Sequence, residues 1–478
     1  MYRSLLDYVS GRECAILGLG VSNLPLARIL TREGIKLNIY DKKSAEELGE
    51  DAVALRRAGA DFFVADKDFD GLRGELIFRS PGVRPDVKGI ADAVARGAEL
   101  TSEMELFLKL TPAHTLAVTG SDGKTTTTTL TGKFLAACGR KTYVGGNIGT
   151  PLLDKCGQMT CDDNAVLELS SFQLMTLVDS PERVAITNIS PNHLDWHTGM
   201  DEYVRAKKNV IGGRTRRLVT NAECVATLDI AREVSGRDGI DIVLFSSKRT
   251  SHADIFGDIA PRGRAIAVYV KGGSICVCDG EREWSVLDLS RIKILGIHNV
   301  ENYMTAIGLT YGDVPYDIYA SVAESFFGVE HRLEFVRTLD GVDYYNGSID
   351  SSPTRTAAAL SALSDRRIVL ICGGYDKNIP YAPLAKAICE HGGVYSVVLT
   401  GATGDKIGRE IALYADKHPE LPEVSLYREP DFASAVKLAR SVALFGDCVL
   451  LSPASASFDA FRNFAERGNT FKRIVMEF

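Results

Sequence analysis

No stretch of the sequence approaches the ~20 consecutive apolar residues of a membrane-spanning helix, and the opening MYRSLLDYVSGRECAILGLG lacks the apolar run of a signal peptide. A soluble, cytoplasmic protein without a membrane partner is expected. A basic tract is also missing: 55 Lys and Arg stand against 62 Asp and Glu, for a net charge of −7, with both signs scattered. That excludes broad neutralisation of a phosphate backbone, so no nucleic acid is expected as a partner. The ten cysteines are dispersed and show no CxxC spacing. They read as reduced, buried small hydrophobes, not as a disulfide framework or a zinc site. Internal repeats and low-complexity segments are absent as well.

What remains is a long α/β pattern. A chain of 478 residues exceeds one compact core and points to about three domains. Short apolar runs alternate with amphipathic stretches: CAILGLG, NLPLARILTREG, KLNIYD and ELIFRSPGV form one such series, implying a parallel sheet with helices on both faces. The alternation restarts at HTLAVTG and runs through AVLELSS, RVAITNIS, RRLVTN and IVLFSS. RAIAVYVKGGSICVCDGEREWSVLDL differs, with period-two strands broken at Gly-Gly and Asp-Gly, the mark of antiparallel hairpins. A helix is expected from His298 to Tyr311, a hairpin across Asp340-Gly341, and further βα units at RIVLICGG, SVVLTG and DCVLLSPAS.

AVTGSDGKTTTTTL (Ala117–Leu130) holds the most explicit chemistry: an apolar strand, a Gly-bearing turn with one lysine, then a threonine-rich helix start. Gly120 and Gly123 let the backbone around Ser121 and Asp122 aim its N–H groups at one point. Lys124 adds a full charge, the helix presents its positive end, and Thr125 or Thr126 can offer a hydroxyl to Mg²⁺. The anion expected there is a nucleoside triphosphate. Val118 stands where the strict GxxxxGK(S/T) pattern asks for glycine, so the generic motif is met in part.

Other groups admit two readings each. GLGVSNLP offers Gly18 and Gly20, but Asn23 takes the third-glycine place; the turn is either a ligand-binding sheet edge, with Asp41 near a nucleoside, or a plain turn. Glu168 ends an apolar strand beside Ser170 and Ser171, where a carboxylate needs a cation, and Mg²⁺ is the economical one. In SPNHLDWH, His193 is either a metal ligand or a structural hydrogen-bonder, with Asp195 and His197 beside it. Lys207 and Lys208 in YVRAKKNV read as a solvated basic face when taken alone, and His331 and Arg332 as a phosphate clamp or a surface ion pair.

In order, TGSDGKTT, NIGTPLL, LELSSFQL, NHLDWH, AKKN, HNVEN, VEHRLE and LSPASASFDAFRNFAERGNTF resemble the Mur ligases over essentially the whole chain. The C-terminal run favours the member that adds D-glutamate over the alanine-, diamino-acid- and dipeptide-adding relatives. The resemblance implies three domains: a Rossmann-like N-terminal domain for the UDP-substrate (1–102), a central P-loop ATPase-like domain for ATP (103–328) and a Rossmann-like C-terminal domain for the amino acid (329–478). It implies a monomer that joins D-glutamate to UDP-N-acetylmuramoyl-L-alanine through an acyl phosphate, for peptidoglycan precursor synthesis, with closure of the domains around the reactants.

The resemblance also carries residue roles. Gly120, Ser121, Asp122, Gly123, Lys124, Thr125 and Thr126 would bind ATP, Asn299 and Asn302 would lie near adenine, and Arg332 would reach the phosphates. Thr125, Glu168, His193 and Lys207, the last as a carbamate, would hold two Mg²⁺ ions. Ser22, Asp41, Lys42, Ser80, Asn147 and His193 match positions around the UDP-substrate; Lys377, Ser457 and Phe464 match positions around D-glutamate.

One loop departs from the family. Where relatives carry an NDSKATN-like stretch, this chain reads NGSIDSSPTRT: Gly347 replaces an aspartate, Ile349 a lysine, and Asp350 a small residue. Contacts carried by that loop are open, with Ser351 or Thr354 as substitutes. The altered loop is the feature favouring a nucleotide-binding homologue with impaired catalysis; intact Lys124, Glu168, His193 and Lys207 oppose it. A folylpolyglutamate-type ligase is opposed by GLGVSN and NFAERG, and a dinucleotide oxidoreductase leaves the Lys124 corner unexplained.

Overall fold

Strands and helices alternate along the chain, and the strands gather into three sheets. The structure is a computed structural model and describes residues 2–149, 151–194, 196–294, 296–377 and 379–478. Two compact units divide the chain: Met1–Ile292 with Ile297–Glu324, and Lys293–Gly296 with Ser325–Phe478.

The first unit contains two sheets. β1 (Cys14–Leu17), β2 (Leu37–Asp41), β3 (Asp61–Val64), β4 (Leu76–Arg79) and β5 (Glu99–Thr101) pair in parallel in the order β3-β2-β1-β4-β5. The order reverses beside β1, so the turn after β1 opens at a switch point, where such sheets bind ligands. The second sheet comprises β6 (His114–Thr119), β7 (Thr142–Gly146), β8 (Asn164–Glu168), β9 (Arg183–Ile186), β10 (Arg217–Asn221), β11 (Asp241–Ser246), β12 (Ala265–Lys271), β13 (Ser274–Cys278) and β14 (Glu283–Asp288). Their order is β14-β13-β12-β11-β10-β9-β6-β8-β7, parallel from β7 to β12 and antiparallel beyond, where the Gly272-Gly273 and Asp279-Gly280 turns make the expected hairpins.

β6 lies between β8 and β9, and its residues from Thr115 onward are buried, as a central parallel strand covered on both faces requires. One contiguous apolar core joins the two sheets, running from Ile16 and Leu26 through Leu106 and Leu153 to Ala117 and Leu167. The buried guanidinium of Arg79 spans the same join, donating to the Val83 carbonyl at 2.6 Å and the Phe172 carbonyl at 2.8 Å.

The second unit is built on β15 (Glu334–Leu339), β16 (Val342–Asn346), β17 (Ile368–Gly373), β18 (Val394–Thr400), β19 (Ser425–Arg428) and β20 (Cys448–Leu451), ordered β15-β16-β20-β17-β18-β19. β15 and β16 form the antiparallel hairpin across Asp340-Gly341; the remaining pairings are parallel. Apolar side chains fill both faces, Leu370 and Ile388 on one and Ile371 and Phe471 on the other. Among the described residues no helix is long and apolar enough to cross a membrane.

Candidate active site

β6 delivers the chain into a tight loop at its C-terminal end, and the helix Lys124–Ala137 starts from Gly123. Gly120 and Gly123 have φ of +143° and +76°, and both touch neighbours where a side chain would begin. A Cβ on Gly120 would lie 1.9 Å from Thr187 Oγ1, and one on Gly123 would lie 2.2 Å from Asn302 Oδ1. No other residue fits either place. The loop is fixed from outside: the Asp122 N–H donates to Asn188 Oδ1 at 3.0 Å, Thr187 Oγ1 to the Asp122 carbonyl at 2.6 Å, and Ser121 Oγ to the Ser190 carbonyl at 2.9 Å. Lys124 Nζ folds back on the loop, donating to the carbonyls of Gly120 at 2.9 Å and Ser121 at 2.8 Å. Thr125 is half-buried beside it, and Thr126 is buried. Asn302 accepts from Thr127 Oγ1 at 3.2 Å and donates to Asn299 Oδ1 at 3.0 Å, so the Asn299/Asn302 pair stands directly against this helix.

Glu168 ends β8 next to the loop and is buried. Asn147 Nδ2 donates to its Oε1 at 2.9 Å, while its Oε2 has no hydrogen-bond partner among the described residues. A buried carboxylate oxygen left open in this way is costly without a cation, so the donor fits Mg²⁺. Asn147, expected near the UDP-substrate, is thus the residue that orients this carboxylate.

The adjacent lysines separate. Lys208 pairs with Glu233 at the surface, whereas Lys207 is 1 % exposed and reaches the site, its Nζ donating to the Gly120 carbonyl at 2.7 Å. Burial, then the charge of Lys124, pushes the Lys207 amine down from 10.5 to about 6, so it is neutral at pH 7. The solvated-face reading therefore holds for Lys208 and fails for Lys207.

The histidines of SPNHLDWH also divide. His193 is exposed, sits at a φ of +55° and packs its ring 4.9 Å from Phe172. His197 is buried with both ring nitrogens engaged, Nδ1 with Glu202 at 3.1 Å and Nε2 with Ser171 at 2.9 Å; it supports the loop and has no nitrogen to spare for a ligand. Asp195 lies outside the described residues. Among those described, no group of three or more His, Cys, Asp or Glu gathers as a ready-made metal site. Arg84, from the first sheet's side, grips Glu202 at 3.0 Å and the Trp196 carbonyl at 2.6 Å, and stacks over the Trp196 ring. This guanidinium, foremost, holds the Glu202 carboxyl down at about 2.

At the switch point, Asp41 Oδ2 accepts from the Leu19 N–H at 2.8 Å and Asn23 Nδ2 donates to the Gly18 carbonyl at 3.0 Å. Both side chains brace the turn, and Asn23 in the third-glycine place does so by hydrogen bonding. Ser22 and Ser80 are half-buried along this edge, and Lys42 is exposed.

The second unit gathers its own set. His331 and Leu333 have φ of +64° and +44°, so Arg332 projects from a turn strained on both sides, a feature that clusters at functional positions. His331 is buried, meeting Asn346 Nδ2 at 3.0 Å and the edge of Phe464. Ser457 is buried in the loop after β20, Phe464 is 40 % exposed at the start of the last helix, and Lys377 is exposed after β17. The buried Arg467 builds that loop: its guanidinium donates to the carbonyls of Ser348 at 2.9 Å, Ser455 at 3.1 Å and Ala456 at 3.1 Å.

Several supports have no motif of their own. Thr187 and Asn188 hide in an ordinary strand end, TNIS, and only the tertiary approach of the loop reveals them. Arg84 and Glu202 are 118 residues apart in sequence, and neither belongs to a motif.

A model of the Mur ligase middle domain matches residues 118–310, and one of the Mur ligase glutamate ligase domain matches 331–455. The UDP-N-acetylmuramoylalanine--D-glutamate ligase of Ruminiclostridium cellulolyticum is 43 % identical over 470 residues, 98 % of this chain and 97 % of that protein. Those of Acetivibrio thermocellus and Clostridium novyi are 42 % and 41 % identical over 98 % and 99 % of the chain, spanning 97 % and 98 % of their own lengths. Among solved structures, the UDP-N-acetylmuramate-alanine ligase of Thermotoga maritima aligns with a TM-score of 0.55 at 18 % identity, covering 98 % of this chain and 99 % of that one. A UDP-N-acetylmuramoyl-L-alanyl-D-glutamate--2,6-diaminopimelate ligase aligns at 0.53 and 16 % identity over 94 % and 93 %. These two support the three-part α/β fold.

Proposed function

The chain belongs to the Mur ligase family, and from that premise we propose that it adds D-glutamate to UDP-N-acetylmuramoyl-L-alanine, driven by ATP, in the making of peptidoglycan precursors. The nucleotide-linked substrate makes the cytoplasm the expected compartment, and a monomer suffices for the reaction. The division of labour is by sheet: the β1–β5 edge for the UDP end, the β6 loop for ATP, the second unit for the incoming amino acid. The observation that carries the reading is the Lys124 loop with the open, buried Glu168 carboxylate beside it.

A carboxylate repels a nucleophile. Transfer of the terminal phosphoryl group from ATP onto a carboxylate oxygen of the muramoyl-alanine gives an acyl phosphate and ADP. The neutral amine of D-glutamate adds at the acyl carbon, the C–O bond to phosphate breaks, and the ammonium proton is lost to solvent. Charge accumulates between phosphoryl and carboxyl oxygens, and offsetting it is the main task of such sites.

Lys124 sits on the phosphate loop, and Arg332 is assigned to the phosphates from its strained turn. Bound magnesium, which serves the whole family, supplies further positive charge at the phosphate oxygens. Thr125, Glu168, His193 and Lys207 would hold two such ions. Lys207 suits that role only after its neutral amine takes up CO₂, releasing a proton and turning a latent cation into an anion; its buried, low-pKa amine is the form that can do so. Lys377, Ser457 and Phe464 are assigned to D-glutamate, and Ser22, Asp41, Lys42 and Ser80 to the UDP-substrate.

The reading is tested by ADP release from the purified protein with UDP-N-acetylmuramoyl-L-alanine, Mg²⁺, ATP and single amino acids. Release with D-glutamate, and background levels with L-glutamate, glycine and a diamino acid, are expected. Release with another amino acid alone would reassign the substrate; no release with any would overturn the ligase reading.

A further inference from the structure

The RSPGVR stretch that leaves β4 carries a guanidinium at each end, and each reaches a segment that follows a strand of the second sheet. Arg79 Nη1 donates to the Val83 carbonyl at 2.6 Å and to those of Ser80 and Pro81 at 3.3 Å, so the turn is wound around this buried cation. Its Nη2 donates to the Phe172 carbonyl at 2.8 Å. Arg84, at the other end, has five acceptors for its five N–H donors. Asp86 accepts from Nε at 2.8 Å and from Nη2 at 2.7 Å. Glu202 accepts from Nη1 at 3.3 Å and from Nη2 at 3.0 Å, and the Trp196 carbonyl accepts from Nη1 at 2.6 Å.

The far partners of Arg84 lead to His193. The Trp196 and His197 N–H groups both donate to the His193 carbonyl, at 3.1 and 2.9 Å. Glu202 Oε2 also accepts from the Thr198 N–H at 2.9 Å and meets His197 Nδ1 at 3.1 Å. His197 Nε2 in turn meets Oγ of Ser171, which follows Glu168 closely in the chain, at 2.9 Å. The Phe172 ring fills the middle, its centroid 4.5 Å from that of Trp196 and 4.9 Å from that of His193. His193 is exposed at a φ of +55°, a conformation that a residue other than glycine keeps only when its surroundings impose it. A pair that merely stabilised the fold would be served by any cation. The planar fork of Arg84 matches a carboxylate and a carbonyl at fixed places, which an ammonium does not reproduce.

We propose that Arg84 is a positioning residue of the ligase site: through the Trp196 carbonyl and Glu202 it holds His193 in the place from which that histidine is assigned to Mg²⁺. The proposal rests on the ligase reading above and deepens it, because the turn that carries Ser80, assigned to the UDP-substrate, also sets the metal-bearing segment. Removing an outer partner of a metal-binding histidine typically lowers metal affinity by about 10–100-fold.

The test is Mn²⁺ binding to the full chain with a non-hydrolysable ATP analogue, followed by electron paramagnetic resonance, beside the Mg²⁺ dependence of turnover. Arg84→Lys keeps the charge and removes the fork. It should weaken Mn²⁺ binding about tenfold, raise the Mg²⁺ concentration for half-maximal turnover by a similar factor, and leave KM for D-glutamate unchanged, with kcat recovered at saturating Mg²⁺. His193→Ala should weaken Mn²⁺ binding at least as much. Adding Arg84→Lys to it should change the affinity by less than about twofold, because the same interaction is lost once. Glu202→Gln cuts the path at its other side and should reproduce the Arg84→Lys shift at a temperature where circular dichroism shows both variants folded. Parent-like Mn²⁺ affinity in Arg84→Lys, losses that multiply in the double variant, or a fall in kcat that saturating Mg²⁺ does not restore would overturn the proposal. Mn²⁺ binding is read without the muramoyl substrate, so a parent that binds the ion and does not turn over counts against the ligase reading alone.

Discussion

Lys207→Met should make the protein more stable and inactive at once. The folded chain releases the Lys207 proton above about pH 6, whereas the unfolded chain keeps it up to about 10.5. Between those values the unfolded state binds the extra proton, so the residue's contribution to stability rises with pH, by about 1.4 kcal/mol per unit. At pH 7 the penalty for keeping the amine neutral is about 5 kcal/mol, taken over the ~3.5 units below 10.5. Methionine fills a similar volume with nothing to deprotonate. The Gly120 carbonyl keeps a donor in Lys124 Nζ at 2.9 Å, so no acceptor is stranded. Structural relaxation reduces the gain, and about 2–5 kcal/mol is expected at pH 7. The assay is urea unfolding of parent and variant in CO₂-free buffer at pH 7, 8.5 and 10, followed by turnover. The stability gap should shrink as pH rises, and turnover should be lost. A less stable variant at pH 7, or a gap independent of pH, would refute the argument that burial holds this amine neutral.

Three further outcomes follow from the same geometry. Gly120→Ala places a methyl group 1.9 Å from Thr187 Oγ1 at a φ of +143°; it should cost about 2 kcal/mol or more and abolish binding of a non-hydrolysable ATP analogue, measured by calorimetry. Glu202→Gln loosens Arg84 and His197 and should cost about 1–3 kcal/mol at pH 7. Because the Glu202 carboxyl titrates at about 2 instead of 4.5, its contribution is present above pH 4.5 and lost as pH falls toward 2, so the variant's unfolding profile should be flatter in acid. Gly347→Ala drives a methyl group against Asp350 Oδ2 and the Leu451 carbonyl; both melting temperature and kcat should fall, and parent-like values for both would show that the space over Gly347 is not taken.

Much of this was legible in the sequence. Hydrophobic periodicity marked the strands around β6, and the Gly-Gly, Asp-Gly and Asp340-Gly341 pairs marked the hairpins, because turn chemistry is local. The Lys124 corner was legible for the same reason: strand, glycines, lysine and helix start are contiguous. Partnerships formed across the chain were not. Lys207 and Lys208 are adjacent and chemically alike, and only the packing of their helix against the β6 loop buries one and exposes the other. Asp350 read as a departure from a motif, yet its carboxylate lies where the missing side chain of residue 347 would start. The hydrogen bond from Asn147 to Glu168 joins two motifs 21 residues apart, and only the folded chain shows it.

The central claim is that phosphoryl transfer activates a carboxylate before the amine attacks. Its most direct measurement uses UDP-N-acetylmuramoyl-L-alanine labelled with ¹⁸O in the alanyl carboxylate, with ATP, Mg²⁺ and D-glutamate, and reads the label in the released phosphate by mass spectrometry. Passage through an acyl phosphate predicts one carboxylate oxygen transferred to each phosphate formed. Unlabelled phosphate accompanying amide formation would contradict the account.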